Sequence, residues 1–582
     1  MRRTLVSLFI VVAAVVLSAQ RQQEAAVTEW VRSTAIRLQT VEAGHGFADL
    51  QPLKRVVGNA RIVALGEATH GSREFFQLKH RLLEFLATEM GFTIFSIEAN
   101  LPEAYRLNDY VLNGVGDPRQ LLRGMYFWTW DTEEVLDMIL WMRAFNASGR
   151  GRVQFTGFDM QTPTVAMEIV RAFVARYDPA SVAVITRANG EIAALSLPSS
   201  FGVATSTFPV GVAAGKRVRY SGFIKTTGVT RGYAGLWWRV DGESGILAFD
   251  NMSNRGVTGT SEWARHEIEL PVAANARNIN FGALHTGDGT AWFDGLTIEV
   301  DGVPYTNQSF FDLDFESTTP RGFAVGGAGY EVQLDRQTVR NGNQSLRMTY
   351  RSAPPGQVDA ARVSATWKDV VRSLEANRAA YRSRGASEQE VEWATRNAIV
   401  VLQGVQLRTN EVSRDQSMAE NIKWILDQSP NEKIVLWAHN GHVAAGGFGG
   451  AGFEPMGSTL RKLYGSDMVV FGFAFNHGAF QAMGRPIGLS TFPVAPAPAG
   501  SLDATLASAR IPVFAVDWRR VPVAGRGAVA GPWINEQQKT RWVGSTYFES
   551  APEAFWLDLR AREAFDVTLF IDLTTAARSN PR

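Results

Sequence analysis

Arg61-Ile-Val-Ala-Leu-Gly-Glu-Ala-Thr-His-Gly71 and, one long helical run later, Thr93-Ile-Phe-Ser-Ile-Glu98 decide the fold. Ile62 to Leu65 is a short apolar run stopped by Gly66. It reads as a buried strand ending in a tight turn, which leaves Glu67 and His70 in the loop that opens the next helix. From Ser72 to about Met90, residues Phe75, Phe76, Leu78, Leu82, Leu83 and Leu86 recur at helical spacing, and Gly91 is placed to end the helix. The next apolar run delivers Glu98. Strand, helix and strand in this order favour parallel pairing with a right-handed crossover. That arrangement puts Glu67, His70 and Glu98 at the carboxyl ends of adjacent strands, the edge where open α/β sheets bind ligands.

Val153 to Phe158 reads as a third strand closing on Gly157-Phe-Asp159, and Ile434 to Trp437 as a fourth that delivers Ala438-His-Asn-Gly-His442. Further strands are expected at Val469–Phe473, Ile511–Val516 and Thr568–Ile571. Helices are expected at Leu101–Leu112, at Asp131–Phe145 with Asp131 or Thr132 as cap, at Thr164–Tyr177, over Trp367 to about Gln428, and at Met456–Leu463. Ser387 and Glu390 make a capping box inside the long helical stretch. From about Ser199 glycine becomes frequent and short alternating segments follow one another at 217–224, 234–240, 263–270, 278–284 and 290–300. β character continues through Phe311–Glu316 and Gln344–Tyr350 to a linker-like Ala353-Pro-Pro-Gly356. The expected fold is therefore α/β: a mostly parallel sheet flanked by helices, interrupted by an inserted antiparallel β-sandwich. Its first part is 28–190, the insertion 199–352, and its second part 365–582, which includes a helical hairpin.

A chain of 582 residues exceeds one ordinary core, and 45% apolar with 20% charged residues is the balance of a globular protein. A net charge of +1 supplies no attraction for nucleic acid or an anionic membrane, and no basic run is interleaved with aromatics. With no cysteine, disulfides, thiolate nucleophiles and cysteine–zinc sites are excluded together. Arg2 and Arg3 precede an apolar run from Leu5 to Leu17 and then Ser18-Ala19-Gln20, the pattern of a signal peptide cleaved near Ala19. The expected location is periplasmic or secreted, with a membrane contact only through that leader if it stays uncleaved.

Glu67, His70, Glu98 and His439 or His442 leave separate strand ends and are expected to converge. Three readings compete. A histidine, with an ordinary pKa of about 6.5, takes a proton from water while a carboxylate fixes its tautomer. Alternatively, two histidines and two carboxylates hold a divalent metal that activates water. In the third reading the same residues are buried polar groups that pin loops. Of eight histidines, His45, His80, His266 and His285 are expected to be structural, and His477 follows a strand without an acidic neighbour in sequence. No Gly-x-Ser-x-Gly turn accompanies a strand end. Gly446-Gly-Phe-Gly-Gly-Ala-Gly452 lacks the Lys and Ser/Thr of a phosphate loop and reads as a mobile lid.

Gly66-Glu-Ala-Thr-His70, Glu74-Phe-Phe76, His80-Arg-Leu-Leu83, Ile97-Glu98, Gly157-Phe-Asp159, Arg414-Asp-Gln-Ser-Met-Ala-Glu-Asn421 and Ala438-His-Asn-Gly-His442 together resemble the erythromycin esterase family in order and wording. The resemblance covers roughly residues 45 to 180 and 365 to 480. It implies hydrolysis of an ester or lactone, a macrolide included, by water activated at His70, with no metal, no cofactor and no covalent intermediate. On this pattern Glu67 orients His70, and Glu98 and His439 complete the catalytic set. His442, Lys79, Asp159 and Arg414 are then expected at the substrate, with Lys79, Arg414 or a positioned histidine facing the developing oxyanion. The family often carries arginine where this chain has Lys79, and the two differ in bidentate reach. A metal-dependent hydrolase using the same residues and a glycan-binding surface protein with an inactive α/β part are the alternatives.

The insertion, with Gly235-Leu-Trp-Trp-Arg-Val240, Thr260-Ser-Glu-Trp263 and Ala291-Trp-Phe-Asp294, resembles a carbohydrate-binding jelly roll of the galactose-binding type, which implies a glycan partner on exposed aromatics. Aromatic side chains are more often buried, and on that ground Trp237, Trp238, Trp263 and Trp292 are expected in the core of the insertion.

Overall fold

Burial of both faces shapes the central sheet of this computed structural model, which describes residues 24–195, 201–242, 245–307, 309–327, 329–351, 360–409, 411–448, 454–484, 488–521, 530–549 and 552–581. The leader, the linker at 353–356 and residues 449–452 of the glycine run lie outside the described residues. Ile62–Leu65 is buried at every position, as a strand covered by helices on both faces must be. Among the described residues the sheet has nine strands. Across it run Ile36–Arg37, Val513–Asp517, Val567–Thr574, Met468–Gly484, Ile62–Leu65, Lys433–Trp437, Phe92–Asn100 and Gln154–Asp159, with Gly488–Val494 paired to Met468–Gly484. The six strands from Val567–Thr574 to Gln154–Asp159 are parallel, and the other three pair antiparallel.

One expectation is corrected here. Ile62–Leu65 and Phe92–Asn100 are not neighbours, because Lys433–Trp437 lies between them and pairs in parallel with both. The helix Arg73–Met90 that connects the two is about 10–12 Å across with its side chains, roughly two strand spacings of about 4.8 Å, so a crossover over one intervening strand is sterically natural. The helix begins after Ser72 and ends at Gly91, whose φ of 71° is the left-handed cap that glycine favours. Thr132, not Asp131, caps the helix Glu133–Ala147, its hydroxyl accepting from the Val135 N–H. The expected capping box of Ser387 and Glu390 forms at the start of Glu388–Arg408.

The chain divides into two compact units, Met1–Met160 with Arg414–Arg582, and Gln161–Ser413. The partition is drawn differently from the expected 190/199 and 352/365 boundaries. The second unit takes in the helices Thr164–Tyr177, Val182–Ala194, Ala360–Ala376 and Glu388–Arg408 together with a ten-stranded antiparallel sheet. Two of the expected segments, 217–224 and 234–240, are one 26-residue strand, Arg217–Gly242. Gly228 and Gly232 at φ of 65° and 77° bend it, and the register against Val257–Pro271 shifts there. Its first half pairs with Val257–Pro271 and Thr290–Val300, its second with Gly245–Asp250 and Asn278–Thr286. Tyr220, Trp238, Phe281, Phe293, Phe311 and Leu346 fill the core of this region.

Phe311–Glu316 is not a strand. The Asp312 carboxylate accepts from the backbone N–H groups of Asp314 and Ser317 and curls the segment on itself. Among the described residues no helix is long and apolar enough to cross a membrane.

Candidate active site

The wedged strand brings the chemistry of the first unit together. Lys433–Trp437 ends between the two strands that carry Glu67 and Glu98, and the Asn440 backbone N–H donates to Glu67 O. Asn440 is clamped by its amide, which donates to Phe473 O at 2.8 Å and accepts from Phe473 N at 3.0 Å. Gly66 is required beside it, since a Cβ there would stand 2.3 Å from Asn440 Oδ1.

Glu67 is fully buried and accepts three donors: His70 Nδ1 at 2.6 Å, Lys79 Nζ at 2.7 Å and Trp437 Nε1 at 2.8 Å. A carboxylate without a proton only accepts, so this contact puts the hydrogen of neutral His70 on Nδ1 and leaves the lone pair on Nε2. Lys79 is completely buried, 4.3 Å from the centroid of the Trp437 ring. Burial pushes its ammonium down to about 8, with Glu67 opposing the shift. Lys79, expected at the substrate, has its whole side chain out of solvent and its ammonium on Glu67, where it holds that carboxylate in place.

Glu98 forms the second anionic centre. Its carboxylate accepts from the His439 backbone N–H at 2.9 Å and from Arg414 Nη2 at 2.7 Å, and stands 3.4 Å from His442 Nε2. Burial favours its neutral form, but His442, Arg414 and His70 outweigh burial and hold the carboxyl far below the usual range. Arg414 also grips Asp159 through Nη2 at 2.6 Å and Nε at 3.2 Å. Asp159 is fully buried, so it too supports Arg414 and offers no surface to a substrate.

The two histidines of the 438–442 turn differ sharply. His439 faces His70, with ring centroids 5.1 Å apart. Its Nδ1 accepts from the Gly441 backbone N–H at 3.1 Å. Burial, reinforced by His70 and His442, pushes its pKa well below that of an ordinary histidine. A backbone N–H can only donate, so the neutral ring must carry its proton on Nε2, and that nitrogen is shielded from solvent without a partner among the described residues.

His442 turns toward Arg414 and Asp415, its Nδ1 2.9 Å from Asp415 Oδ1 and its Nε2 3.0 Å from Arg414 Nη1. Burial lowers its pKa, but Glu98 and Asp415 overcome this and the net shift is upward. Neutral His442 accepts from Arg414 at Nε2, and charged His442 turns the same nitrogen into a donor toward Glu98.

The structure thus brings together His70, Glu67, Glu98, His439, His442, Lys79, Asp159 and Arg414. Sequence reasoning missed Asp415, Trp437 and Asn440. Asp415 and Asn440 stand inside the quoted blocks, beside Arg414 and His439, and Trp437 is the last residue of the expected strand. Trp130 was also missed; it donates to Glu98 O at 3.0 Å and meets His70 edge-on at 5.9 Å. Among the described residues no three His, Asp or Glu side chains converge as a metal ligand set. The carboxylates of Glu67, Glu98 and Asp159 instead face the resident cations Lys79 and Arg414. His80 is buried against Glu84, His45 pairs with Glu42 at the surface, and His477 lies within a strand 3.9 Å from Asp572.

These features define a class: an α/β protein with a histidine–carboxylate array at the carboxyl edge of a mostly parallel sheet. The erythromycin esterase family model matches residues 87–219 and 333–574, more than half of the sequence, and the chain belongs to that family. Erythromycin esterase type II of Escherichia coli is 30% identical over 164 residues, 27% of this chain and 38% of that enzyme. The match therefore spans little more than a third of that relative's length. Among solved structures, a succinoglycan biosynthesis protein superposes with a TM-score of 0.59 at 19% identity, covering 96% of this chain and 99% of that one. An erythromycin esterase mutant in its open conformation gives 0.50 at 13% identity over 94% and 98%. Both are likenesses of fold.

Proposed function

We propose that the protein hydrolyses a carboxylic ester or lactone with water activated by His70. The observation that carries this reading is the tautomer pair. Glu67 leaves His70 with a basic Nε2, and Gly441 leaves His439 with an Nε2–H donor, on rings 5.1 Å apart. A base and a neutral donor are what an addition of water to a carbonyl requires.

In this scheme His70 Nε2 takes one proton from water as the water oxygen attacks the carbonyl carbon. The electron pair of the C=O bond moves to the carbonyl oxygen, which accepts from His439 Nε2–H. Collapse re-forms the C=O bond and breaks the bond to the leaving oxygen, which takes the proton from His70. Glu98 and Arg414 hold His439 and His442 in register, and Lys79 and Trp437 fix Glu67. The name of the E. coli relative, erythromycin esterase type II, makes erythromycin the first macrolide to try. The leader pattern adds a site of action outside the cytoplasm to the proposal.

The test is a mass-spectrometric time course of erythromycin, simpler lactones and aryl esters with wild type, His70→Ala and a chelator-treated sample. Gain of one water that requires His70 and ignores the chelator is expected. Turnover of none of these substrates, turnover by His70→Ala at the wild-type rate, or turnover lost to the chelator would overturn the scheme.

A further inference from the structure

The second unit carries a cavity of about 600 Å³, within the range of small-molecule sites, on the sheet face opposite its core. Alternation along Arg217–Gly242 makes it: Ala234, Leu236, Trp238 and Val240 point into the core, while Tyr233, Trp237, Arg239 and Asp241 point the other way. The expected burial of all four tryptophans is thus corrected. Trp238 is fully buried in the core, whereas its neighbour Trp237 lines the cavity.

Opposite Trp237 in the register stands Gly282, where a Cβ would lie 1.8 Å from Ala204 O. That place is taken by the backbone of the neighbouring strand Phe201–Thr207, so glycine there serves the strand pairing, and no side chain from this position reaches the indole. Trp292 donates its N–H to Asp335 at 2.7 Å, but the Trp237 N–H has no acceptor among the described residues. Trp237 is therefore seated by its ring and not by a polar anchor.

The rest of the lining narrows the ligand class. Tyr233 and Phe249 add aromatic surface, and Asn251 and Asn280 add amides. Arg239 Nε donates to Asp241 Oδ1 at 2.8 Å, so the two charges cancel across the site. A phosphate-bearing ligand would find no net positive charge, and an alkyl chain would have no use for the amides. A neutral molecule with apolar C–H faces and a dense ring of hydroxyls meets every feature: its C–H face on the indole, its hydroxyls on amide, guanidinium and carboxylate.

We infer that this cavity binds a carbohydrate, with Trp237 as the platform. The inference is independent of the hydrolase reading, because every residue it uses lies in the second unit.

Affinity gel electrophoresis of the full chain in soluble xylan, galactan, β-glucan and mannan tests it, with wild type, Trp237→Ala, Arg239→Ala and His70→Ala. Retardation by at least one polysaccharide is expected, weakened tenfold or more by Trp237→Ala and several-fold by Arg239→Ala, and unchanged by His70→Ala. A thermal melt confirms folding of each variant, and the half-buried Arg239 carries the test if Trp237→Ala fails to fold. Retardation of wild type by none of the four, or retardation that survives in the folded cavity variants, would overturn the inference.

Discussion

Glu67→Gln separates the two jobs of that carboxylate, and the magnitude follows from Lys79. The substitution keeps the shape but removes the charge that faces a fully buried ammonium. A buried charge left without its partner and unable to neutralise would be destabilising by about 3–5 kcal/mol. Lys79 has another exit, because burial has already brought it to about 8. At pH 7 release of its proton lies roughly one pH unit away, so the loss of stability through Lys79 is limited to about 1 kcal/mol. The sign follows from linkage. Between about 8 and its ordinary 10.5 the unfolded chain holds a Lys79 proton that the folded chain has released, so this group's contribution to stability improves as pH rises through that window. In Glu67→Gln the window opens at a lower pH, and the deficit against wild type through Lys79 shrinks between pH 7 and pH 9. Activity behaves otherwise. Without the carboxylate nothing dictates the His70 tautomer, and a fall of about 10²–10⁴ in kcat is expected from the size of such orienting effects. Urea midpoints at pH 7 and pH 9, with initial rates on the best ester, read both quantities, and Glu67→Gln with Lys79→Met should regain stability but not rate. A folded Glu67→Gln within tenfold of wild-type kcat, or a deficit that grows toward pH 9, would refute the reasoning.

Three other outcomes are expected. His442 has a raised pKa in the folded state, so its contribution to stability is full below the ordinary histidine value of 6.5 and is lost as pH rises through the raised one; urea midpoints from pH 5 to 9 should fall more in wild type than in His442→Gln, and parallel curves would sink the claim. Gly66→Ala should destabilise by about 1–3 kcal/mol, since the new Cβ meets an Asn440 amide fixed by two hydrogen bonds, and an unchanged denaturation midpoint would show that the turn yields. Trp238→Ala should lose about 3–5 kcal/mol of stability as a core cavity while Trp237→Ala loses far less; equal losses in differential scanning calorimetry would contradict the assignment of faces.

The elements themselves were legible. The helix Arg73–Met90, the helix Thr164–Tyr177, the strand Thr290–Val300 and the capping box at Ser387 all follow from local periodicity and cap chemistry, which act over a few residues. The family resemblance was legible too, because its blocks are short and stand at strand ends or within the helices Arg73–Met90 and Arg414–Gln428. Phe311–Glu316 failed because a side-chain carboxylate competed for the backbone N–H groups that a strand would have used. The long strand Arg217–Gly242 has the sequence pattern of two strands because the glycines that bend it also interrupt its alternation.

By itself, then, the sequence determined which residues stand at strand ends: Glu67 and His70 after one apolar run, Glu98 and Asp159 closing two more, His439 and His442 after a fourth. Tertiary structure decided their partners. Only the wedging of Lys433–Trp437 between strands far away in sequence sets His439 against His70 and its backbone on Glu98. Only the packing of Arg73–Met90 turns Lys79 under Glu67, and only the pairing around Arg217–Gly242 gives Trp237 a cavity and Trp238 a core. Periodicity reports which face of an element a residue occupies, while the identity of what covers that face depends on contacts between segments hundreds of residues apart, which no local pattern encodes.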